Sequence, residues 1–182
     1  MTSGIGAERV DRDELRSVQA PLKDRYREDP GAAAVTLRAT GTLGDGISCS
    51  VQTGRALAAA GLHPSTGGDG SLLCSGDMLL EALAACAGVT MRSVATSIGV
   101  EVRGGSVTAE GDLDFRGTLA IDRDVPVGFR AIRVRFDLDS DATEADLATL
   151  LRLTERYCVV LQTIAGAPSL TIDLKRGHLE NT

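Results

Sequence analysis

Apolar positions crowd into one stretch of the chain, Ser75 to Ile98 (SGDMLLEALAACAGVTMRSVATSI). Between Met78 and Val89 the charge at Glu81 is the one interruption, so the pattern predicts a helix of about six turns, buried on nearly every face. Ser75 is placed to cap its start, Asp77 sits in the first turn where a negative charge suits the dipole, and Gly99 follows the last apolar residue and ends it. Ala82, Ala84, Ala85, Ala87 and Gly88 leave room for a neighbouring backbone. Cys86 lies mid-run and shares a face, by helical spacing, with Leu79, Ala82, Leu83 and Val89. Taken alone, such a residue reads as a packed core thiol.

The remaining pattern is mostly of period two. Val35, Leu37 and Ala39 alternate with polar residues, as do Ile47, Cys49 and Val51, and Gly44-Asp45-Gly46 between them predicts a hairpin turn. Cys49 then points inward as a structural residue. Gly54 to Leu73 reads as a connection with a short helical piece at 55–60 and a turn-rich end, HPSTGGDGS. Its glycines lack the Gly-Lys-Ser/Thr of a phosphate loop. Cys74 stands just before the central helix. Further strands are expected at 100–103, 106–110 and 112–120, with a turn at 125–128. The clearest amphipathic strand holds Ile132, Val134, Phe136 and Leu138 against Arg133, Arg135, Asp137 and Asp139.

Ser140 to Thr143 supplies caps for a second helix, about Glu144 to Thr163, with Leu147, Leu150, Leu151, Thr154, Cys158 and Leu161 on one stripe. Leu170, Ile172 and Leu174 predict a closing strand. The order β-β-α-β-β-β-α-β, rich in hairpins, predicts an α+β fold with antiparallel sheet. Ahead of it, residues 1–10 read as a loose tail. Asp11 to Glu28 is charged and helix-prone but interrupted by Pro21, giving two short helices or one entered after the proline. It is expected as a solvated arm or as one packed on a partner subunit. The division is an N-terminal helical arm over 1–30 and a domain over 31–182.

Composition narrows the function classes. The chain has 182 residues and a net charge of −6, with no Trp and 3% aromatic content; both argue against a nucleic-acid partner. No apolar run is read as approaching a membrane span, and the N-terminus has no secretory h-region, so a cytoplasmic protein with reduced cysteines is expected. None of Cys49, Cys74, Cys86 and Cys158 is two residues from another, and His63 and His178 are far apart, so no metal site is expected.

Two core-facing cysteines on separate helices carry a resemblance. DMLLEALAACAGVTMRSVA resembles the Ala-Ala-Cys helix of the OsmC/Ohr family, and IRVRFDLDSDATEADLATLLRLTERYCVVL resembles that family's strand, turn and second cysteine helix. The likeness spans roughly Ala33 to Leu174, with a matching glycine-rich approach loop. It implies an intertwined α+β homodimer with antiparallel sheets and two central helices per chain. It implies thiol-dependent reduction of small-molecule organic hydroperoxides at the subunit interface, with no metal or bound cofactor. Cys86 would be the attacking thiol and Cys158 the resolving one, and electrons would return from a dithiol, in several members a lipoylated protein.

Burial alone raises a thiol's pKa and makes it inert, so Cys86 is expected to need a cation nearby. In the best-studied branch of the family that is an Arg of the first hairpin, held by a Glu at the start of the central helix. Here those positions fall near Gly44 and at Gly76, and the Pro after the second cysteine is Val159. Arg55 and Arg38 are the leading candidate cations and Asp77 a supporting candidate, with Arg152 and Arg156 also unassigned. The second hypothesis is a non-catalytic dimer of the same fold that binds an apolar small molecule between its subunits.

Overall fold

The computed structural model describes residues 11–29, 32, 41–43, 48–53 and 56–174. Its centre is the helix α2, Ser75–Ile98. Gly99 closes it in the left-handed conformation (φ 77°), with its N–H returning to the Ala95 and Thr96 carbonyls, a conformation an L side chain resists. The N-cap is Cys74 rather than Ser75, and Cys74 makes no side-chain capping bond. Leu83, Ala87, Met91, Val94 and Ala95 are the buried residues of α2. They face the hairpin of β5 (Gly104–Asp112) and β6 (Ala131–Asp139) and the helices α4 (Glu144–Tyr157) and α5 (Val159–Gly166). Gly88 allows the close approach to β5: a Cβ there would stand 3.4 Å from Val107 Cγ2.

The expectation of a helix buried on every side is corrected within one chain. Leu79 is 41% and Val89 72% exposed. By length and composition α2 is also long and apolar enough to cross a membrane, with a hydropathy of 1.4 over its most apolar window. The sequence reading of no such run is corrected accordingly. In this fold the helix is instead the element on which the others pack.

Four strands form one sheet, in the order β1 (Gly41–Leu43), β2 (Ser48–Thr53), β3 (Ala56–Gly61), β4 (Leu73–Cys74). The first two pairings are antiparallel and the last parallel. The helical piece expected at 55–60 is therefore strand β3. Its alanines favour helix in isolation, but pairing on both edges overrides that weak preference. The strand read at Val35–Ala39 and the Gly44–Gly46 turn lie outside the described residues.

The second sheet is the β5–β6 hairpin, in register from Gly104↔Asp139 to Asp112↔Ala131. Ile132, Val134, Phe136 and Leu138 turn inward as the alternation requires. On the other face Arg133 pairs with Asp112 at 2.5 Å and Arg135 with Asp137 at 2.7 Å. Residues 100–103 are not strand, and the strand expected at 112–120 gives way to the short helix α3 (Phe115–Thr118), capped by Asp114.

The arm forms one helix, α1 (Arg12–Glu28), with Pro21 inside it. Asp11 accepts from the Glu14 N–H to start it. Pro21 is exposed and removes only its own donor, so the helix continues on both sides. Leu15 is buried where α1 packs on α2 of the same chain. The closing strand is absent: 167–174 pairs with no strand among the described residues, and Leu170, Ile172 and Leu174 are 85%, 93% and 97% exposed. The fold is α+β with small antiparallel sheets.

Candidate functional site

The second helix is not continuous. It divides at Cys158, whose ψ of 107° is extended. The Cys158 N–H still donates to Thr154 O at 2.9 Å, closing α4, and its carbonyl accepts from the Gln162 N–H at 2.9 Å, opening α5. Gln162 Nε2 also donates to the Glu155 carbonyl at 2.9 Å, satisfying an acceptor freed by the break. Val159 is the first residue of α5, the place where proline is favoured because the N–H there has no acceptor within the helix. The change from Pro to Val thus leaves the break in place. It corrects the expected single helix over 144–163, and no glycine or proline marks it in the sequence.

The break delivers Cys158 to α2. Cys158 is fully buried with Leu83 and Ala87, and Cys86 packs against that cluster, half-buried. The two thiols lie in one cluster, close enough for each to shift the other's acidity. The first amides of α5, which have no intrahelical acceptor, are turned toward the sulfurs.

The two thiols are driven apart in acidity. Burial pushes Cys86 up, but the Val160 N–H, the Cys158 thiol, the Thr90 hydroxyl and the Val159 N–H outweigh it, and its pKa lies below the ordinary thiol value. Burial also pushes Cys158 up, the Leu161 and Val160 N–H groups pull it back in part, and its bond to Cys86 and the charge there raise it further, so its pKa lies above the ordinary value.

Among the described residues the expected cation is not one of these groups. All four that favour the Cys86 thiolate are neutral donors, and two belong to the terminus of a different helix. The sequence argument considered only the dipole of Cys86's own helix, where a mid-helix residue gains little. Arg55 and Arg38 lie outside the described residues. Arg152 is exposed on α4. Arg156 is exposed and stacks over Tyr157, 5.5 Å from the ring centroid, lining an open groove of about 420 Å³ with Val159 and Pro168. Asp77 is exposed nine residues before Cys86, roughly 13 Å along the helix.

Cys74 caps α2 twelve residues before Cys86, roughly 18 Å away along the axis. A side chain at Gly76 would meet its Sγ and Phe129 Cζ, both at 3.5 Å. The side chain of Cys49 lies outside the described residues, but its backbone pairs with Ala60, which pairs with Leu73. Cys49 and Cys74 are therefore two strand spacings apart, about 9–10 Å, beyond the reach of a disulfide. Among the described residues no group of His, Cys, Asp and Glu is arranged to hold a metal ion.

The model of the family described as OsmC-like protein matches residues 68–173, more than half of the chain and the segment that holds both thiols. The chain belongs to the OsmC-like family. No curated protein matches it. Solved OsmC-like structures share its fold at low identity. An OsmC-like protein of Mycoplasma pneumoniae is 17% identical with a TM-score of 0.61, over 72% of this chain and 89% of its own. An organic hydroperoxide resistance protein OsmC of Legionella pneumophila is 18% identical with a TM-score of 0.58, over 74% and 92%. An organic hydroperoxide resistance protein of Elizabethkingia anophelis is 16% identical with a TM-score of 0.55, over 74% and 91%. In this OsmC-like chain the sequence pointed to the two cysteines but missed Thr90 and the α5 amides. The spacing of Thr90, four residues after Cys86, was the available signal; the amides left none.

Proposed function

We propose that this OsmC-like chain is a thiol-dependent hydroperoxide reductase of the cytoplasm, with the site in the 31–182 domain. The meeting of a thiol of lowered pKa, Cys86, with one of raised pKa, Cys158, carries the reading. The Cys86 thiolate attacks the peroxide: an S–O bond forms, the O–O bond breaks, and the alkoxide leaves as an alcohol after taking a proton. The sulfenic acid then condenses with the Cys158 thiol to a disulfide and water. A dithiol, such as a lipoylated protein, returns both thiols by exchange and is itself oxidised. The hydroperoxide resistance proteins among the structural neighbours support a hydroperoxide as substrate.

The test is oxidation of the full chain with tert-butyl hydroperoxide, followed by peptide mapping. An intrachain Cys86–Cys158 disulfide is expected, unchanged in Cys49→Ser and Cys74→Ser, together with turnover when a dithiol is added. Bridges between other cysteines, or no reaction, reject the assignment.

The working form is a homodimer. Val89 and Val159 are 72% and 69% exposed, and Leu170, Ile172 and Leu174 alternate along an exposed segment that pairs with no strand among the described residues. Burying these residues on a second copy removes apolar area from water. Light scattering at micromolar concentration is expected to give twice the chain mass of 18.9 kDa; a well-folded monomer counts against the assembly.

One observation favours a second reading, a non-catalytic dimer that binds an apolar small molecule. Gly76 stands where the family's carboxylate is expected, and the donors around Cys86 are neutral. Under that reading Cys86 is alkylated only above the ordinary thiol range and no hydroperoxide is turned over.

A further inference from the structure

Between β3 and β4 the chain closes a compact loop over residues 62–72 whose ends touch: a Cβ on Gly61 would stand 2.8 Å from Leu72 Cδ1. The loop turns about His63. Its carbonyl accepts from the Thr66 N–H at 2.8 Å, the Thr66 hydroxyl at 2.9 Å and the Gly68 N–H at 3.1 Å. Its ring nitrogen Nδ1 accepts from the Ser65 N–H at 3.0 Å and so caps the single 3-10 turn Pro64–Thr66. Gly67, left-handed at φ 97°, closes that turn. The half-buried His63 ring also stacks on Phe115 of α3, with ring centroids 4.9 Å apart and planes 22° from parallel.

An imidazole nitrogen accepts a hydrogen bond only while it carries no proton. With Nδ1 facing an N–H, the ring is neutral and holds its hydrogen on Nε2. Once the ring is charged both nitrogens donate, and the Ser65 N–H faces a donor instead of an acceptor. The Phe115 contact does not oppose this, because a cation lies favourably on an aromatic face. Acidification therefore takes the cap and leaves the stack. The charged groups on the two elements that meet the ring are already engaged. On α3 and its cap, Asp114 pairs with Arg116 at 2.6 Å and with Arg130 at 3.6 Å. In the loop, Asp69 accepts from the Ser71 N–H at 2.9 Å and the Ser71 hydroxyl at 2.6 Å.

We propose that His63 is a pH-sensitive lock on the β3–β4 loop: its neutral ring caps the turn at 64–66, and its charging releases that cap while the ring stays on Phe115. Histidine is the side chain whose charge ordinarily changes between about pH 5 and 8, so the lock is closed at the upper end of that range and open at the lower. The loop runs into β4 and then into Cys74, the N-cap of α2. The lock thus sets how tightly the chain is held where it enters the central helix. It is independent of the thiol chemistry and holds whether or not the chain reduces hydroperoxides.

The experiment measures hydrogen–deuterium exchange of the 62–72 peptide in the full chain, by rapid mixing at several values between about pH 5 and 8. His63→Asn sets an oxygen in the place of Nδ1 and does not titrate; His63→Phe keeps the stack and has no acceptor. Comparing variants at the same pH cancels the intrinsic pH dependence of exchange. At the upper end wild type and His63→Asn are expected to exchange alike. At the lower end the turn amides of wild type are expected to exchange about 5- to 10-fold faster than those of His63→Asn. His63→Phe is expected to be faster than His63→Asn throughout. A ratio of wild type to His63→Asn that does not change with pH overturns the proposal. A second reading needs no variant: nitrogen NMR of the wild-type ring is expected to show Nδ1 without a proton at the upper end, and a proton on Nδ1 there overturns the proposal as well.

Discussion

Cys86→Ser is expected to abolish hydroperoxide turnover, whereas Cys158→Ser spares the first oxidation and removes the second. A serine hydroxyl at position 86 is not ionised near neutral pH. Removing a nucleophile of this kind costs on the order of 10³-fold or more in rate. Cys158→Ser leaves the α5 amides and Thr90 beside Cys86, so one equivalent of peroxide is still consumed. With no second thiol to condense with, the product is a sulfenic acid that advances to sulfinic acid with further peroxide. Cys158→Ser also takes away one of the contributions that lower the Cys86 pKa, so its alkylation midpoint moves upward. Peroxide consumption per chain, dithiol-coupled turnover and intact mass distinguish the outcomes. Equal turnover in wild type and Cys86→Ser would remove Cys86 from the chemistry. Rapid multiple turnover in Cys158→Ser, with no other cysteine in the product disulfide, would remove Cys158.

Leu150→Ala is expected to cost about 3–4 kcal/mol of stability, while Leu151→Ala changes it by less than about 1 kcal/mol. Leu150 is fully buried on α4 in the cluster with Met91, Val94 and Ala95, and Leu151, next in sequence, is 51% exposed. The truncation loses the transfer energy of the removed carbons and leaves a cavity. Its walls are held from three directions, by α2, by Phe136 and Leu138 of β6, and by Leu147 and Leu153 of α4 itself, so collapse recovers little. The urea midpoint at one fixed protein concentration is expected to fall by roughly 1.5–2 M, for a slope of about 2 kcal/mol per M. The effect reaches the site as well. The Leu150 carbonyl accepts from Thr154, whose hydroxyl also meets Met91 Sδ at 3.5 Å, and the Thr154 carbonyl accepts the Cys158 N–H that ends α4. Loosening this turn misplaces Cys158, so disulfide formation slows before the chain unfolds. A Leu150→Ala protein as stable as wild type would mean that the α2–α4 packing is not the core of the fold.

Local pattern alone was enough for several elements. The run from Ser75 to Ile98 is helical because nothing within it breaks a helix and Gly99 stops it; the observed bounds are the same. The alternation from Ile132 to Leu138 predicts β6 because period two has only one compact solution. Thr143 caps α4 through its own side chain, a bond made within three residues. Propensity misled where pairing outweighed it, as at the alanines of β3, and Pro21 was read too strongly because an exposed helix interior loses only one bond to it.

The sequence by itself determined an α+β chain of the OsmC-like family with two cysteines on separate helical segments. Tertiary structure decided what those cysteines are next to. Periodicity describes which face a residue occupies, not which foreign atoms arrive there. The break at Cys158 turns the free amides of α5 toward a sulfur 72 residues earlier in the chain, and no local signal announces it. Contacts at that separation are products of packing, so the stabilisation of the Cys86 charge by neutral donors could be read only from the folded chain.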